Sequence, residues 1–213
     1  MSSYPEPRIF CINLDHRTDR WQHIQRIAKE CNIHITRLPA VRSDQGWQGC
    51  GYSHQKACRL AKALNLPWVL VLEDDADFTK EKLDQFKSYL PYLWENKDKW
   101  EYFNGGPWWI MFPEMFSKEP TLIKAHTLLT HFILYNSDFY DTVMKWEPVN
   151  DMKNTYDIYL QYSCKSVIGY PSIAYQIPSK SDIISSSNDN NICQTAEKEL
   201  LIKIQCLFPN KHA

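Results

Sequence analysis

The most constraining feature of the sequence is an apolar run that ends in a cluster of acids, LVLEDDADF at residues 70–78. Four carboxylates, Glu73, Asp74, Asp75 and Asp77, follow one another within five positions. Two such charges about 5 Å apart repel by roughly 3 kcal/mol at an effective dielectric near 20. A fold therefore retains the cluster only if water solvates the charges or a cation neutralises them. The alternative is that the acids simply open the following helix, where the helix dipole favours negative charge.

Length, charge and hydropathy exclude several classes of protein. The chain has 213 residues and a formal net charge of −1, with acids and bases mixed along it. No block of Lys and Arg marks a nucleic-acid surface. The apolar runs are too short to cross a bilayer, and the first residues, MSSYPEPR, lack a signal-peptide core. We expect one domain over residues 1–213, whether a whole protein or a fragment, with no nucleic-acid partner and no membrane segment.

Cysteine and glycine usage narrows the choice further. The seven cysteines contain no C-x-x-C pair, so neither a zinc motif nor a disulfide framework is indicated. Reduced thiols in the cytoplasm are the simplest interpretation. The six glycines form neither G-x-G-x-x-G nor a P-loop, which argues against a dinucleotide-dependent dehydrogenase and a Walker-type NTPase.

Strand-like and helix-like segments alternate in the first half of the chain. Apolar runs predict strands at RIFCINL (8–14), HITRLPAV (34–41) and WVLVLE (68–73), the last covered on both faces. Helical spacing predicts helices at 18–31, at 53–64 behind a Ser53 cap, and at 80–90. This alternation favours an α/β fold with a Rossmann-like, mainly parallel central sheet flanked by helices.

The second half of the chain is less regular. Residues 121–136 predict two strands or a hairpin, residues 137–146 and 154–164 predict helices, and residues 166–176 predict a late strand. The polar stretch 177–191 is typical of a loop, and residues 196–208 are typical of an amphipathic C-terminal helix. We find no internal repeat and no linker, which again favours a single domain.

The acid cluster lies where a ligand site is expected. Sheets of the predicted kind bind ligands outside the carboxyl ends of their strands. Asp75 and Asp77 form a D-x-D pair at such an end, and carboxylates of this kind hold Mg²⁺ or Mn²⁺, which also takes oxygens of a diphosphate. A D-x-D pair alone is a weak signal, but its position after a buried strand strengthens it.

Four motifs occur in order, INLDHRTDRW, AV, GCGYSH and VLEDDA, and through them residues 9–78 resemble glycosyltransferase family twenty-five. That family includes the lipooligosaccharide and collagen galactosyltransferases. A weaker echo lies in the segment that ends QIPSKSDI. The chain as a whole is also similar to glycosyltransferase domains of large algal DNA viruses, which would place it in a host cytoplasm. The resemblance implies a GT-A fold, a nucleotide-sugar donor, and Mn²⁺ or Mg²⁺.

The resemblance assigns roles by position. It makes Asp75 and Asp77 the metal ligands, with Asp74 beside them, and it places His54 near the donor. The end of the first strand would contact the nucleotide through Asn13, Leu14, Asp15 and Arg17. The chain departs from the family at Arg42, which replaces the acid of the usual AVDG motif, so contacts to the uracil or ribose are expected to differ.

The diphosphate leaving group needs positive charge as it departs. Arg17, Arg20, Arg42 and Lys180 are the candidates, although any one of them alone is more typical of a surface charge. Lys180 follows the last predicted strand in a loop that could close over the phosphates, where Ser181 could add a hydroxyl donor.

Residues that could act at the sugar are harder to assign. An inverting transfer needs a carboxylate base, and Asp157, in NTYDIYLQY, is the candidate. An ordinary polar residue on an amphipathic helix is the alternative, and a retaining outcome stays open. In GGPWW (105–109), Gly106 would let a ligand approach the backbone and the Trp rings would stack on a sugar, unless the segment is a turn with two core Trp. His126 and His131 are expected in the core, with a third metal ligand as the alternative.

These patterns together predict a metal-dependent glycosyltransferase. It would transfer a hexose from a UDP-sugar, UDP-glucose or UDP-galactose, to a glycan acceptor in the cytoplasm. A sugar nucleotidyltransferase shares an acidic metal site and is the nearest alternative enzyme. A carbohydrate-binding domain without activity is the alternative of another class.

Overall fold

The structure is a computed structural model that describes residues 4–149 and 154–177, together with Lys198, Leu201, Ile202 and Gln205. Those four isolated residues have helical backbone, in the segment predicted as the C-terminal helix. Lys180 and Ser181, predicted at the phosphates, lie outside the described residues.

Ten strands and five α-helices occur in the described part of the chain. The strands are β1 (Arg8–Asn13), β2 (Thr36–Pro39), β3 (Trp68–Glu73), β4 (Ala76–Asp77), β5 (Tyr102–Asn104), β6 (Trp108–Ser117), β7 (Leu122–Leu128), β8 (Phe132–Asn136), β9 (Ser166–Gly169) and β10 (Tyr175–Gln176). The helices are α1 (Thr18–Glu30), α2 (Gly46–Ala63), α3 (Lys80–Glu95), α4 (Tyr140–Met144) and α5 (Tyr156–Ser163). None of these helices has the length and apolar character needed to cross a membrane.

Eight strands form one sheet in the order β2-β1-β3-β8-β5-β9-β7-β6, and β4 pairs with β10 in a separate two-stranded ribbon. The predicted α/β class with a central sheet flanked by helices is confirmed, and the arrangement is consistent with a Rossmann-like GT-A fold. The sheet is mixed, however, and not mainly parallel as predicted. The pairs β2–β1, β1–β3 and β5–β9 are parallel. The other four pairs of the large sheet are antiparallel. Parallel neighbours need long crossovers, which the helices of the first half supply.

The central strand β3 is buried on both faces, as its unbroken apolar sequence predicts. Leu70 and Leu72 belong to a cluster that includes residues of α1 and α3. Val69 and Val71 belong to a second cluster, which includes residues of α2, α4 and α5. All four side chains are fully buried. The core therefore fixes the position of the acids that follow β3.

Helix α2 begins at Gly46, seven residues before the predicted start, so the predicted Ser53 cap is wrong. Ser53 lies inside the helix, where its hydroxyl donates to the Gly49 carbonyl at 2.6 Å and accepts from the Val41 amide at 2.8 Å. Two glycines of this helix allow close packing. A Cβ on Gly49 would lie 2.6 Å from the Val41 carbonyl oxygen, and one on Gly51 would lie 2.2 Å from the Trp146 ring.

Replacing Gly51 with Ala should therefore destabilise the fold. The added methyl group would collide with the fully buried Trp146 ring, and overpacking of this kind costs about 1–3 kcal/mol. Gly46→Ala, at the first position of the same helix, is the matched control and should leave stability unchanged or raise it by less than about 1 kcal/mol. Urea unfolding followed by circular dichroism measures both. Equal midpoints for the two variants would contradict the packing argument.

Candidate functional site

A cavity of about 330 Å³ lies at the carboxyl ends of β1, β2 and β3. The acids Glu73, Asp74 and Asp75 line one side of it, and the loop after β2 lines another. The amino-terminal turns of α2 also face the cavity, through Gly46 and Gly49. A larger cavity of about 580 Å³ lies at the start of β1, but none of the clustered acids lines it, so the chemistry points to the smaller one.

Asp74 is held by two donors. The Asn13 side-chain amide donates to Asp74 Oδ2 at 2.7 Å, and Arg20 Nη1 donates to Asp74 Oδ1 at 2.8 Å. All three side chains are buried. The Asn13 oxygen in turn accepts from Arg37 at 2.7 Å. This network joins the end of β1 and the first turn of α1 to the turn after β3.

Asp75 has the opposite environment, because it is buried with too little positive charge around it. Arg20 Nη1 lies 3.4 Å from Asp75 Oδ2, while Asp75 Oδ1 is buried and has no hydrogen-bond partner among the described residues. Burial, and then the neighbouring charge of Glu73, raise the pKa of Asp75 against the lowering effect of Arg20. A carboxylate with a bare oxygen at a cavity wall fits a divalent cation, which would supply the missing charge.

Glu73 contacts two residues of α2 and the hydroxyl of Thr130, which precedes β8. His54 Nε2 lies 3.4 Å from Glu73 Oε1, Cys50 Sγ lies 3.8 Å from it, and the Thr130 hydroxyl donates to it at 2.5 Å. Burial alone would raise the pKa of Glu73, but the hydrogen bond and charge of His54 outweigh it, with help from Thr130. The pKa of Glu73 is therefore lowered, and the side chain is ionised at neutral pH.

His54 is completely buried and does not line the cavity. Its Nδ1 lies 2.9 Å from the Tyr135 hydroxyl, and its ring stacks on Tyr156 with centroids 5.0 Å apart. His54 was predicted near the donor, but it lies behind the cavity wall and reaches the cavity only through Glu73. Burial, and then the charges of Glu73 and Asp157, raise the pKa of the Cys50 thiol well above its usual value.

The structure brings some predicted site residues together at the cavity and leaves others away from it. Leu14, Arg42, Asp74 and Asp75 all line it. Asn13 lies just behind the wall, where it orients Asp74.

The remaining charged residues of the first strand end and of the D-x-D pair do not line the cavity. Asp15 is exposed and pairs with Arg37 at 2.7 Å, and Arg17 pairs with Asp19 at 3.0 Å. Asp77 lies in β4 with a half-exposed side chain, 3.5 Å from His23 Nε2.

Gly106 serves packing in the structure. A Cβ at this position would lie 2.0 Å from Nε2 of the fully buried His131. The Gly106 amide donates to the Asn104 side chain at 3.0 Å. His131 is buried, as predicted for a core residue.

Asp157 lies in the first turn of α5. Its Oδ1 accepts from the Thr155 hydroxyl at 2.5 Å and from the Ile158 amide at 3.0 Å, which is the arrangement of a residue that supports a helix start. It does not line the cavity, but it is near enough to contribute to the raised pKa of Cys50.

Three residues matter more in the structure than their sequence patterns indicated. Arg20 was one of several possible surface cations, yet it lies on the same face of α1 as Ile24 and Ile27 and is buried with them. That i, i+4, i+7 spacing was the available signal. Cys50 and Glu73 line the cavity, but nothing in their spacing showed that they meet across α2 and β3.

Comparison with known proteins confirms the family resemblance. Residues 44–144 match the model of glycosyltransferase family 25, described as an LPS biosynthesis protein. The matched region includes all of α2 and the EDD acids. It supports a glycosyltransferase, and hence a sugar donor and an acceptor.

Solved structures show weaker similarity. A197 from STIV is 11% identical with a TM-score of 0.47, and the match covers 82% of this chain and 87% of that one. A putative glucose-1-phosphate thymidylyltransferase from Bacillus anthracis, solved in complex with a sucrose, is 13% identical with a TM-score of 0.36, covering 90% of this chain and 75% of that one. No curated protein matches the sequence.

The unbalanced charge of Asp75 should make the stability of the metal-free protein depend on pH. The pKa of Asp75 rises from 3.8 to about 7 on folding, so between these values the folded chain holds a proton that the unfolded chain has lost. Stability therefore falls as the pH rises through this window. Glu73 acts oppositely but at lower pH, because its pKa falls from 4.5 to about 2.

Asp75→Asn removes this penalty, so its stability relative to wild type should rise between pH 5 and 7 by about 1–3 kcal/mol. Urea unfolding in EDTA at several pH values measures the difference. Asp84→Asn, on the exposed side of α3, is the control and should give a flat difference across this window. Parallel pH profiles for wild type and Asp75→Asn would show that the pKa of Asp75 is not raised on folding.

Proposed function

We propose that this protein is a metal-dependent glycosyltransferase that moves a hexose from UDP-glucose or UDP-galactose to a glycan acceptor. The observation that carries the proposal is the buried Asp75 carboxylate, which lines a cavity at the carboxyl edge of the sheet and has one oxygen without a hydrogen-bond partner among the described residues. The family match over residues 44–144 supports glycosyl transfer as the reaction.

The cavity wall offers separate surfaces for the parts of a nucleotide. Leu14, Ala40 and Val41 provide apolar surface beside the hydroxyl of Ser43 and the cation of Arg42, a combination that suits a base and its ribose. The volume of about 330 Å³ falls in the range of small-molecule sites.

The diphosphate is proposed to bind at the amino end of α2. This helix has 18 residues and no acid in its first turn, so its dipole favours an anion at this end. Gly46 lines the cavity there, and glycine leaves the backbone open to close approach.

A divalent cation would be held by Asp75, with Asp77 as the second predicted ligand. When bound, Mn²⁺ or Mg²⁺ supplies positive charge to the departing diphosphate. Arg20 holds Asp74 and contacts Asp75, so it keeps the acid turn in place. Asp77 lies outside the cavity lining, and the proposal rests mainly on Asp75.

The acceptor is proposed to lie against the segment that follows β5. Strand β5 is antiparallel to β8, which is antiparallel to β3, so β5 and β3 end at the same edge of the sheet. Trp109 follows β5, is 53% exposed and has a φ of 54°. An exposed Trp ring that the backbone holds in an unfavourable conformation is suited to stack on a sugar face.

The metal requirement is tested by donor binding. Asp75→Asn should abolish the Mn²⁺-dependent part of UDP-sugar binding while the fold is retained, because the cation loses its main anchor. Asp77→Ala is predicted to weaken it as well. Calorimetry with and without EDTA measures both, and Asp84→Asn is the matched surface control.

The released product separates the enzyme classes. Glycosyl transfer or slow donor hydrolysis releases UDP, whereas a nucleotidyltransferase consumes an NTP and releases pyrophosphate. Donor affinity that is the same in wild type and Asp75→Asn, with or without EDTA, would remove the central proposal.

Asp157 is proposed to act at the reacting sugar. General base catalysis contributes about 10²–10⁴-fold, so Asp157→Asn should lower transfer at saturating donor on that order and leave UDP affinity unchanged. Asp138→Asn is the control, because Asp138 does not line the cavity. Near-normal transfer by Asp157→Asn would show that Asp157 only supports the start of α5.

A further inference from the structure

We propose that Cys50, His54 and Glu73 form a zinc site that is separate from the Asp75 carboxylate and does not depend on glycosyl transfer. Cys50 and His54 are four residues apart on α2, so they lie on one face of the helix. Glu73 ends β3 opposite them. The Cys sulfur, a His ring nitrogen and a Glu oxygen all lie within 4.8 Å of one another.

The spacing of these atoms fits a tetrahedral ion. Zinc bonds of about 2.3 Å to sulfur and about 2.0 Å to nitrogen or oxygen place neighbouring ligand atoms about 3.3–3.5 Å apart. Cys50 Sγ lies 3.8 Å from Glu73 Oε1, and His54 Nε2 lies 3.4 Å from the same oxygen. Small side-chain rotations would bring these atoms to the separations that zinc requires.

The surroundings of the three residues are those that a metal site requires. A metal-binding His is usually oriented by a partner on its other ring nitrogen, and His54 Nδ1 lies 2.9 Å from the Tyr135 hydroxyl. That hydroxyl lies 2.9 Å from the Tyr156 hydroxyl. Thr130 donates to Glu73 and so restrains the carboxylate. The Nε2 atom of the His54 ring is directed at Glu73.

The chemistry of the three ligands selects the metal. A thiolate and an imidazole favour zinc over Mg²⁺ or Mn²⁺, which prefer oxygen ligands. Binding replaces the Cys50 thiol proton, which passes to solvent, with the ion. Three protein ligands leave a fourth tetrahedral position. Cys50 and Glu73 line the cavity while His54 lies behind them, so the fourth position faces the cavity and takes water or a ligand oxygen.

Cobalt substitution tests the site through a signal that activity does not influence. Wild-type protein stripped of metal should bind Co²⁺ with a thiolate-to-cobalt charge-transfer band in the near ultraviolet that saturates at one equivalent, and Zn²⁺ should abolish the band. Cys50→Ser should lose the band. Cys58→Ser, a fully buried cysteine on the same helix, should keep it.

Two more variants test the site without replacing any of its ligands. Tyr135→Phe removes the group that orients His54 and should weaken Zn²⁺ binding about 10–100-fold, measured by competition with a chromophoric chelator. Asp75→Asn should keep the cobalt band, since Asp75 is not a ligand of this site. Absence of the band in wild-type protein, or its persistence in Cys50→Ser, would overturn the proposal and would leave the Asp75 metal proposal untouched.

Discussion

The arrangement of the site depends on one buried ion pair, Arg20 with Asp74. Both side chains are removed from water, so each needs the other, and breaking such a pair typically costs about 3–5 kcal/mol. The contact joins α1 to the turn after β3, and Asn13 adds the end of β1. Because Arg20 makes its shorter contact with Asp74, the adjacent Asp75 receives only a longer contact from Arg20, at 3.4 Å. The charge that is missing at Asp75 is therefore a consequence of how the turn is anchored.

Three consecutive carboxylates consequently behave in three different ways. Glu73 is ionised beside His54 and Thr130, Asp74 is neutralised by an arginine, and Asp75 has a raised pKa and a bare oxygen. Neighbouring acids with divergent environments are typical of functional sites.

The sequence was sufficient to predict the features that depend on local pattern. The strand β3 and the helices α1 and α3 follow from apolar spacing, and the position of the acids follows from the end of β3. The early start of α2 could not be predicted, because glycine favours loops by propensity and only the distant Trp146 ring explains Gly51. The burial of Arg20 depends on a partner 54 positions away. Asp77 was expected beside Asp75, but β4 pairs with β10 and carries Asp77 out of the cavity lining.

Helix α2 makes contacts at its start and at its middle with segments that lie far apart in the sequence. Its first turns border the cavity, and further along Gln55 donates to the carbonyls of Val143, Met144 and Trp146. One added or deleted residue turns the rest of a helix by about 100°. An insertion between Gly46 and Gln55 would thus move either the glycines off the cavity or Gln55 off the end of α4. The number of residues between Gly46 and Gln55 is therefore constrained from both sides.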